Sequence, residues 1–195
     1  AAFADGVFLV AWSDLRNGKD YDVYAIMVEP SGKVGAEFRI AGGDKQPGGQ
    51  CLPALASDGK DAFLTVWQDH RGGQHFECYA ARVSTDGKVL DPDGFRVLNT
   101  AANPRVAFHD GRFFVLSSST ACTVSPDGKT VGNPFETWPE GGIGGSLVSA
   151  FGKMLGVMNI SPNPDPWGWS GNGTILGVTI NADGTSPETK VAEHR

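Results

Sequence analysis

The residues best suited to chemistry in this chain are carboxylates set beside tryptophan and arginine. The stretch VAWSDLRNGKDYDVYA, residues 10 to 25, carries Asp14, Asn17, Asp20 and Asp22. Oxygens packed this closely are the donor set that a hard cation such as Ca²⁺ takes, and calcium is the one cofactor the sequence suggests. A second stretch, TVWQDHRGGQHFECYA at 65 to 80, carries Asp69 with His70, His75 and Glu77. The two histidines with their acidic neighbours offer ligands for a metal. Asp14 and Asp69, brought together at a channel, would be a carboxylate pair for acid and base work on a glycan.

The two stretches are copies, and that changes their reading. With a shift of 55 residues Trp12 falls on Trp67, Asp14 on Asp69, Arg16 on Arg71, Gly18 on Gly73 and Tyr24 on Tyr79. The second copy replaces Asp20 by His75 and Asp22 by Glu77 but keeps the Trp, Asp, Arg, Gly and Tyr. What every good copy keeps is what the structural unit needs, since an active site is needed once. The expected roles are therefore mechanical. Trp12 and Trp67 fill the gap between neighbouring units, while Asp and Arg pin a loop by charge-assisted hydrogen bonds.

Function is then expected where the copying fails. The segment SPNPDPWGWSGNG, residues 161 to 173, places Trp167 and Trp169 among Pro, Asn and Gly. With Asn163, Asp165 and Asn172 these rings form a candidate platform for a glycan or for a protein partner, on an irregular loop carried by a rigid scaffold. The alternative is a hydrophobic lid over an edge. Asn159 and Asn172 also begin glycosylation sequons, though the first is followed by proline.

The elements that carry these residues follow from the repeat. Turn glycines in PSGKV, TDGKV, PDGKT and ADGTS mark four copies: Gly32, Gly87, Gly128 and Gly184 are 55, 41 and 56 residues apart. That spacing belongs to solenoids, propellers and arrays. Within the second copy, CLPALAS (51–57), AFLTVWQD (62–69), FECYAARVS (76–84) and GFRVLN (94–99) read as four strands from their alternation and turns. The other copies divide the same way. The GGIGG run at 141 to 145 is expected to be a turn before the strand SLVSAF. Four antiparallel strands per copy is the blade of a β-propeller, so the expectation is an all-β propeller of four-stranded blades, with repeats at about 1–46, 47–101, 102–141 and 142–195. A sandwich needs no such copying, and a solenoid would have a shorter period. The abrupt start and partial first strand suggest a piece of a larger ring.

The quoted motifs, each leading into a V-x-x-[DS]-G-K turn, resemble the tandem W-x-D-x-R-x-G-x-x-Y-D-[IV]-Y propeller repeats of large secreted and surface proteins of bacteria and archaea. The resemblance covers about 100 residues in the first two copies. The third copy has lost the Trp, Asp and Arg, and the fourth replaces them with the 161–173 segment. It implies an extracytoplasmic setting, secreted, periplasmic or at the cell surface, and assigns no activity. SPDGKT (125–130) is also distantly similar to the repeats of sialidases, without the aromatic residue expected after the turn.

Composition narrows the classes. Glycine supplies 27 of 195 residues, in keeping with many tight turns, and no long helical pattern accompanies it. The net charge of −6 offers no basic stripe for nucleic acid. No apolar run is long enough to span a bilayer as a helix. Cys51, Cys78 and Cys122 have no metal spacing and read as buried apolar residues. No nucleotide-binding glycine loop or nucleophile motif is present. The reading is thus a non-catalytic recognition or assembly scaffold, with a glycan or protein as partner and no nucleic acid, or a subunit of a larger surface complex. The alternative is a carbohydrate-active or glycan-binding propeller.

Overall fold

A computed structural model describes residues 1–137, 142–150, 152–160, 174–180 and 188–193. The first sheet contains β1 (Ala2–Ala4), β2 (Val7–Asp14), β3 (Asp22–Val28) and β4 (Phe38–Ala41), and the second β5 (Gln50–Ser57), β6 (Ala62–Asp69), β7 (Glu77–Ser84) and β8 (Phe95–Leu98). The third has β9 (Arg105–His109), β10 (Arg112–Ser117), β11 (Thr120–Val124) and β12 (Phe135–Glu136). The fourth has β13 (Gly142–Ala150), β14 (Lys153–Ile160), β15 (Thr174–Ile180) and β16 (Glu188–Glu193). In every sheet the strands lie side by side in chain order and pair antiparallel.

The hairpins explain the turn residues. Gly32, Gly87 and Gly128 sit at φ 86°, 83° and 70°, and each donates its N–H back three residues, to Glu29, Ser84 and Ser125 at 2.8, 2.9 and 2.8 Å. That left-handed backbone is why glycine recurs there. Gly184 lies outside the described residues. One expectation is corrected: Gly142 to Gly145 are not a turn but the start of β13, paired with Met158 to Ile160 through a register shift between Ile143 and Gly145. Glycines can extend a strand where a bulge must be absorbed, and the partner strand β14 supplies the ladder.

Packing gives each sheet a front and a back. Alternate residues of a strand point to opposite faces. Leu9 on β2 packs with Phe63 and Trp67 on β6, joining the first sheet to the second. The other face of β6 sends Leu64 and Val66 against Phe113 and Val115 of the third sheet. The third sheet's second face sends Phe114 and Leu116 to Met154 of the fourth. All eight residues of β6 are consequently buried, including the polar Thr65, Gln68 and Asp69. Each large side chain so removed from water stabilises by about 1.5–3 kcal/mol.

Candidate functional site

The Trp-Asp-Arg motif forms the same clasp twice. In the second sheet Trp67 Nε1 donates to Asp69 Oδ2 at 2.8 Å, and Arg71 donates from its backbone N and Nε to Oδ1, both at 2.9 Å, and from Nη2 to Oδ2 at 2.6 Å. The guanidinium lies 4.0 Å from the centre of the Tyr79 ring. In the first sheet Trp12 Nε1 donates to Asp14 Oδ2 at 2.9 Å, Arg16 donates through its backbone and Nη2 at 2.8 and 2.6 Å, and its guanidinium again lies 4.0 Å over Tyr24. Gly18 and Gly73 close the loops with N–H bonds to Leu15 and His70.

These contacts set the acids' chemistry. Bonds from Arg16 and then Trp12 hold the Asp14 carboxyl far below the usual carboxylate range. Burial pushes Asp69 up, but the Arg71 and Trp67 hydrogen bonds outweigh it and the net displacement is downward. Both side chains are therefore held as anions, Asp69 accepting four hydrogen bonds and Asp14 three. They are poor proton donors and bind loops together.

The remaining candidate ligands are also engaged. Asn17 Oδ1 accepts from Lys19 N at 2.8 Å and its Nδ2 donates to Asp20 Oδ1 at 2.8 Å. Asp20 Oδ2 accepts from Gly48 N at 3.2 Å, and the buried Asp22 accepts from Gly43 N through Oδ1 at 3.0 Å. Asn17, Asp20 and Asp22 border one cavity, and Asp14 is turned away into its clasp. Asp14 is therefore not grouped with the other three. The neighbours of the histidine pair are engaged too: His70 lies against Phe76 with ring centres 4.9 Å apart, Glu77 pairs with Arg96 at 2.8 Å, and Asp69 belongs to Arg71. Among the described residues no three His, Cys, Asp or Glu side chains are grouped as a metal would require.

What the structure assembles instead is a polar hollow between the first and second sheets, at the clasp end. One cavity of about 580 Å³ is lined by Arg39, Asp44, Lys45, Gln46, Pro92 and Asp93, among others. A second, of about 390 Å³, shares Arg39 and Asp44 and adds Asn17, Lys19, Asp20 and Asp22. Arg39 stands between them, its Nη1 3.8 Å from Asp22. Gln46 holds the wall: its Oε1 accepts from Gly42 N and its Nε2 donates to the Pro92 carbonyl, both at 2.9 Å. Arg71 reaches over to the Asp93 carbonyl at 2.8 Å, so the second clasp braces the same wall. Gly42, at φ 111°, lies against the Asp22 carboxyl, where no side chain would fit. Cationic, anionic and amide groups side by side suit a ligand with many hydroxyl groups or a polar peptide. Trp167, Trp169, Asn163, Asp165 and Asn172 lie outside the described residues.

No protein-family model matches the chain, and no curated protein sequence matches it. Solved structures do. A GH43 protein from Bacillus licheniformis is 10% identical, with a TM-score of 0.59 over 97% of this chain and 40% of that one. The sialidase of Trypanosoma rangeli is 8% identical, with a TM-score of 0.59 over 97% of this chain and 36% of that one. An exo-1,5-alpha-L-arabinanase from a bovine ruminal metagenomic library is 12% identical, with a TM-score of 0.55 over the whole of this chain and 78% of that one. The fold is a β-propeller. Its four sheets are blades, and the chain spans about 40% of the length of the first of these structures. At such identities the likeness extends to the propeller architecture alone.

Proposed function

We propose that the chain is a non-catalytic, extracytoplasmic propeller that recognises a polar ligand at the clasp end of its first two blades. The observation that carries this reading is the engagement of Asp14 and Asp69. The two repeated carboxylates, the obvious acid and base, are each held as anions by a tryptophan and an arginine. They shape the loops around the hollow and leave Arg39 and Asp44 on its shared border. The ligand class is a glycan, a reading supported by the mixture of donors and acceptors in the hollow and by the likeness in fold to an exo-1,5-alpha-L-arabinanase, a xylan beta-1,4-xylosidase and a sialidase.

Calorimetric titration with arabinan and xylan oligosaccharides and with sialyllactose tests it. Binding to at least one probe is expected, with at least a tenfold loss in Arg39→Ala and Asp44→Ala and unchanged melting. Absence of binding to all three overturns the glycan assignment. The second reading, a carbohydrate-active enzyme, is favoured by the same neighbours. It prevails if nitrophenyl glycosides are turned over and the turnover disappears in Asp14→Asn or Asp69→Asn while the chain stays folded.

A further inference from the structure

One arginine of the hollow differs from its twin in the next blade. Arg39 and Arg96 hold the same place in the first and second blades, each on the last strand opposite a tyrosine, Tyr24 and Tyr79. Asp22 and Glu77 are likewise equivalent, each opposite the clasp carboxylate, Asp14 and Asp69. In the second blade the pair is closed, with Arg96 Nη1 donating to Glu77 Oε1 at 2.8 Å. In the first blade it is open. Asp22 is shorter by one methylene and its Oδ1 accepts from Gly43 N at 3.0 Å, while Arg39 Nη1 stands 3.8 Å from Oδ2, beyond hydrogen-bond reach. Among the described residues the Arg39 guanidinium makes no hydrogen bond, and its side chain is 46% exposed.

The loop differs at the same point. Gly43, at φ 80°, lies directly against Cζ and both terminal nitrogens of Arg39, where a Cβ would collide with them. The second blade carries Thr100 at this position. The glycine thus seats the guanidinium on the border shared by the two cavities, and Lys45 and Lys19 each add an ammonium to one of them. Asp20 is engaged by Asn17 and Gly48, and Asp22 by Gly43, which leaves Asp44 and Asp93 against three cations.

We propose that Arg39 receives the carboxylate of an acidic sugar, so that the ligand of the hollow is a glycan bearing uronate or sialate groups; this rests on the glycan reading above. An arginine fork with open donors holds a carboxylate through two parallel bonds, which a neutral hydroxyl cannot match, and the lysines add charge without that geometry. Asp44 and Asp93 accept from the sugar hydroxyls.

Calorimetric titration of the 195-residue chain with trigalacturonate and its methyl ester, and with sialyllactose and lactose, tests this. The acid of at least one pair is expected to bind about tenfold tighter than its neutral counterpart, with the preference shrinking as salt is raised. The pair that shows the preference names the source of the carboxylate. Arg39→Lys keeps the charge but not the fork, and should lose about fivefold for the acid and nothing for the neutral partner. Asp22→Glu should remove the preference by closing the pair as Glu77 does; where that change disturbs folding, Arg39→Lys carries the test by itself. Equal affinities within both pairs, or binding of arabinan or xylan oligosaccharides alone, overturn the proposal and leave the glycan reading standing. Absence of binding to every sugar removes the glycan reading itself, and tight binding of a triglutamate peptide in their place assigns Arg39 to a protein partner instead.

Discussion

Asp69 and Arg71 are joined by three hydrogen bonds, two from the guanidinium and one from the backbone, around a carboxylate from which water is excluded. Asp14 and Arg16 make the corresponding pair with the arginine side chain 45% exposed. The same sequence motif therefore works in two environments, and the difference is measurable. Asp69→Ala takes the acceptor from the buried indole N–H of Trp67 and from the backbone N and Nε of Arg71, and is expected to cost about 3 kcal/mol. Asp14→Ala is expected to cost less, because water replaces the lost contacts. Urea unfolding of the two variants checks the order; equal losses would contradict it.

Acid should act through the same group. The Asp69 carboxyl is lowered in the folded chain, so the unfolded chain binds its proton first as the pH falls. Its contribution is fully present above the ordinary value of 3.8 and is lost as the pH drops below that toward the lowered folded value. Melting temperature should therefore fall more steeply below about pH 4 for the parent chain than for Asp69→Asn, which has no proton to gain there. Parallel curves would show that the clasp carboxylate does not couple to folding.

Thr65 offers a gain in stability. Its hydroxyl is buried on the second blade and has no hydrogen-bond partner among the described residues. The first blade carries Val10 at the equivalent position. Thr65→Val keeps the shape, removes the unsatisfied oxygen and is expected to add about 1 kcal/mol. A rise in melting temperature of about 2–4 °C would register it.

The thiols should divide by burial. Cys78 and Cys122 are fully buried together between the second and third blades, and burial pushes Cys122 up to about 12 and Cys78 higher still. Cys51 is half-buried and raised by burial and by the nearby Asp69 charge. A disulfide reagent at mildly alkaline pH should label Cys51 slowly in the native chain, and all three only after denaturant. Rapid native labelling of Cys122 would refute the packing of that interface.

The blades were legible because their signals are local and repeated. Asp and Gly in the hairpins, alternation along the strands and the copied Trp, Asp and Arg all report on the nearest few residues. Ala62 to Asp69 follows from its run of β-branched and aromatic residues between turns. The GGIGG segment misled because glycine lacks a side chain with which to display a strand's faces, and its extension depends on the partner strand. The hollow was invisible for another reason. Arg39 on β4, Asp22 at the start of β3, Gln46 after β4 and Asp93 before β8 form no motif; only the stacking of two blades brings them together. The carboxylate spacing in residues 14 to 22 gave a plausible ligand set, but spacing does not tell which way a side chain turns, and Asp14 turns to its tryptophan.

Among the described residues, each cluster of core residues lies between two consecutive blades. A chain held this way behaves as a row of neighbours, each felt only by the next. Among the described residues the second and third blades are gripped from both sides, and β6, sealed along its whole length, is the last place where a backbone proton would trade with solvent.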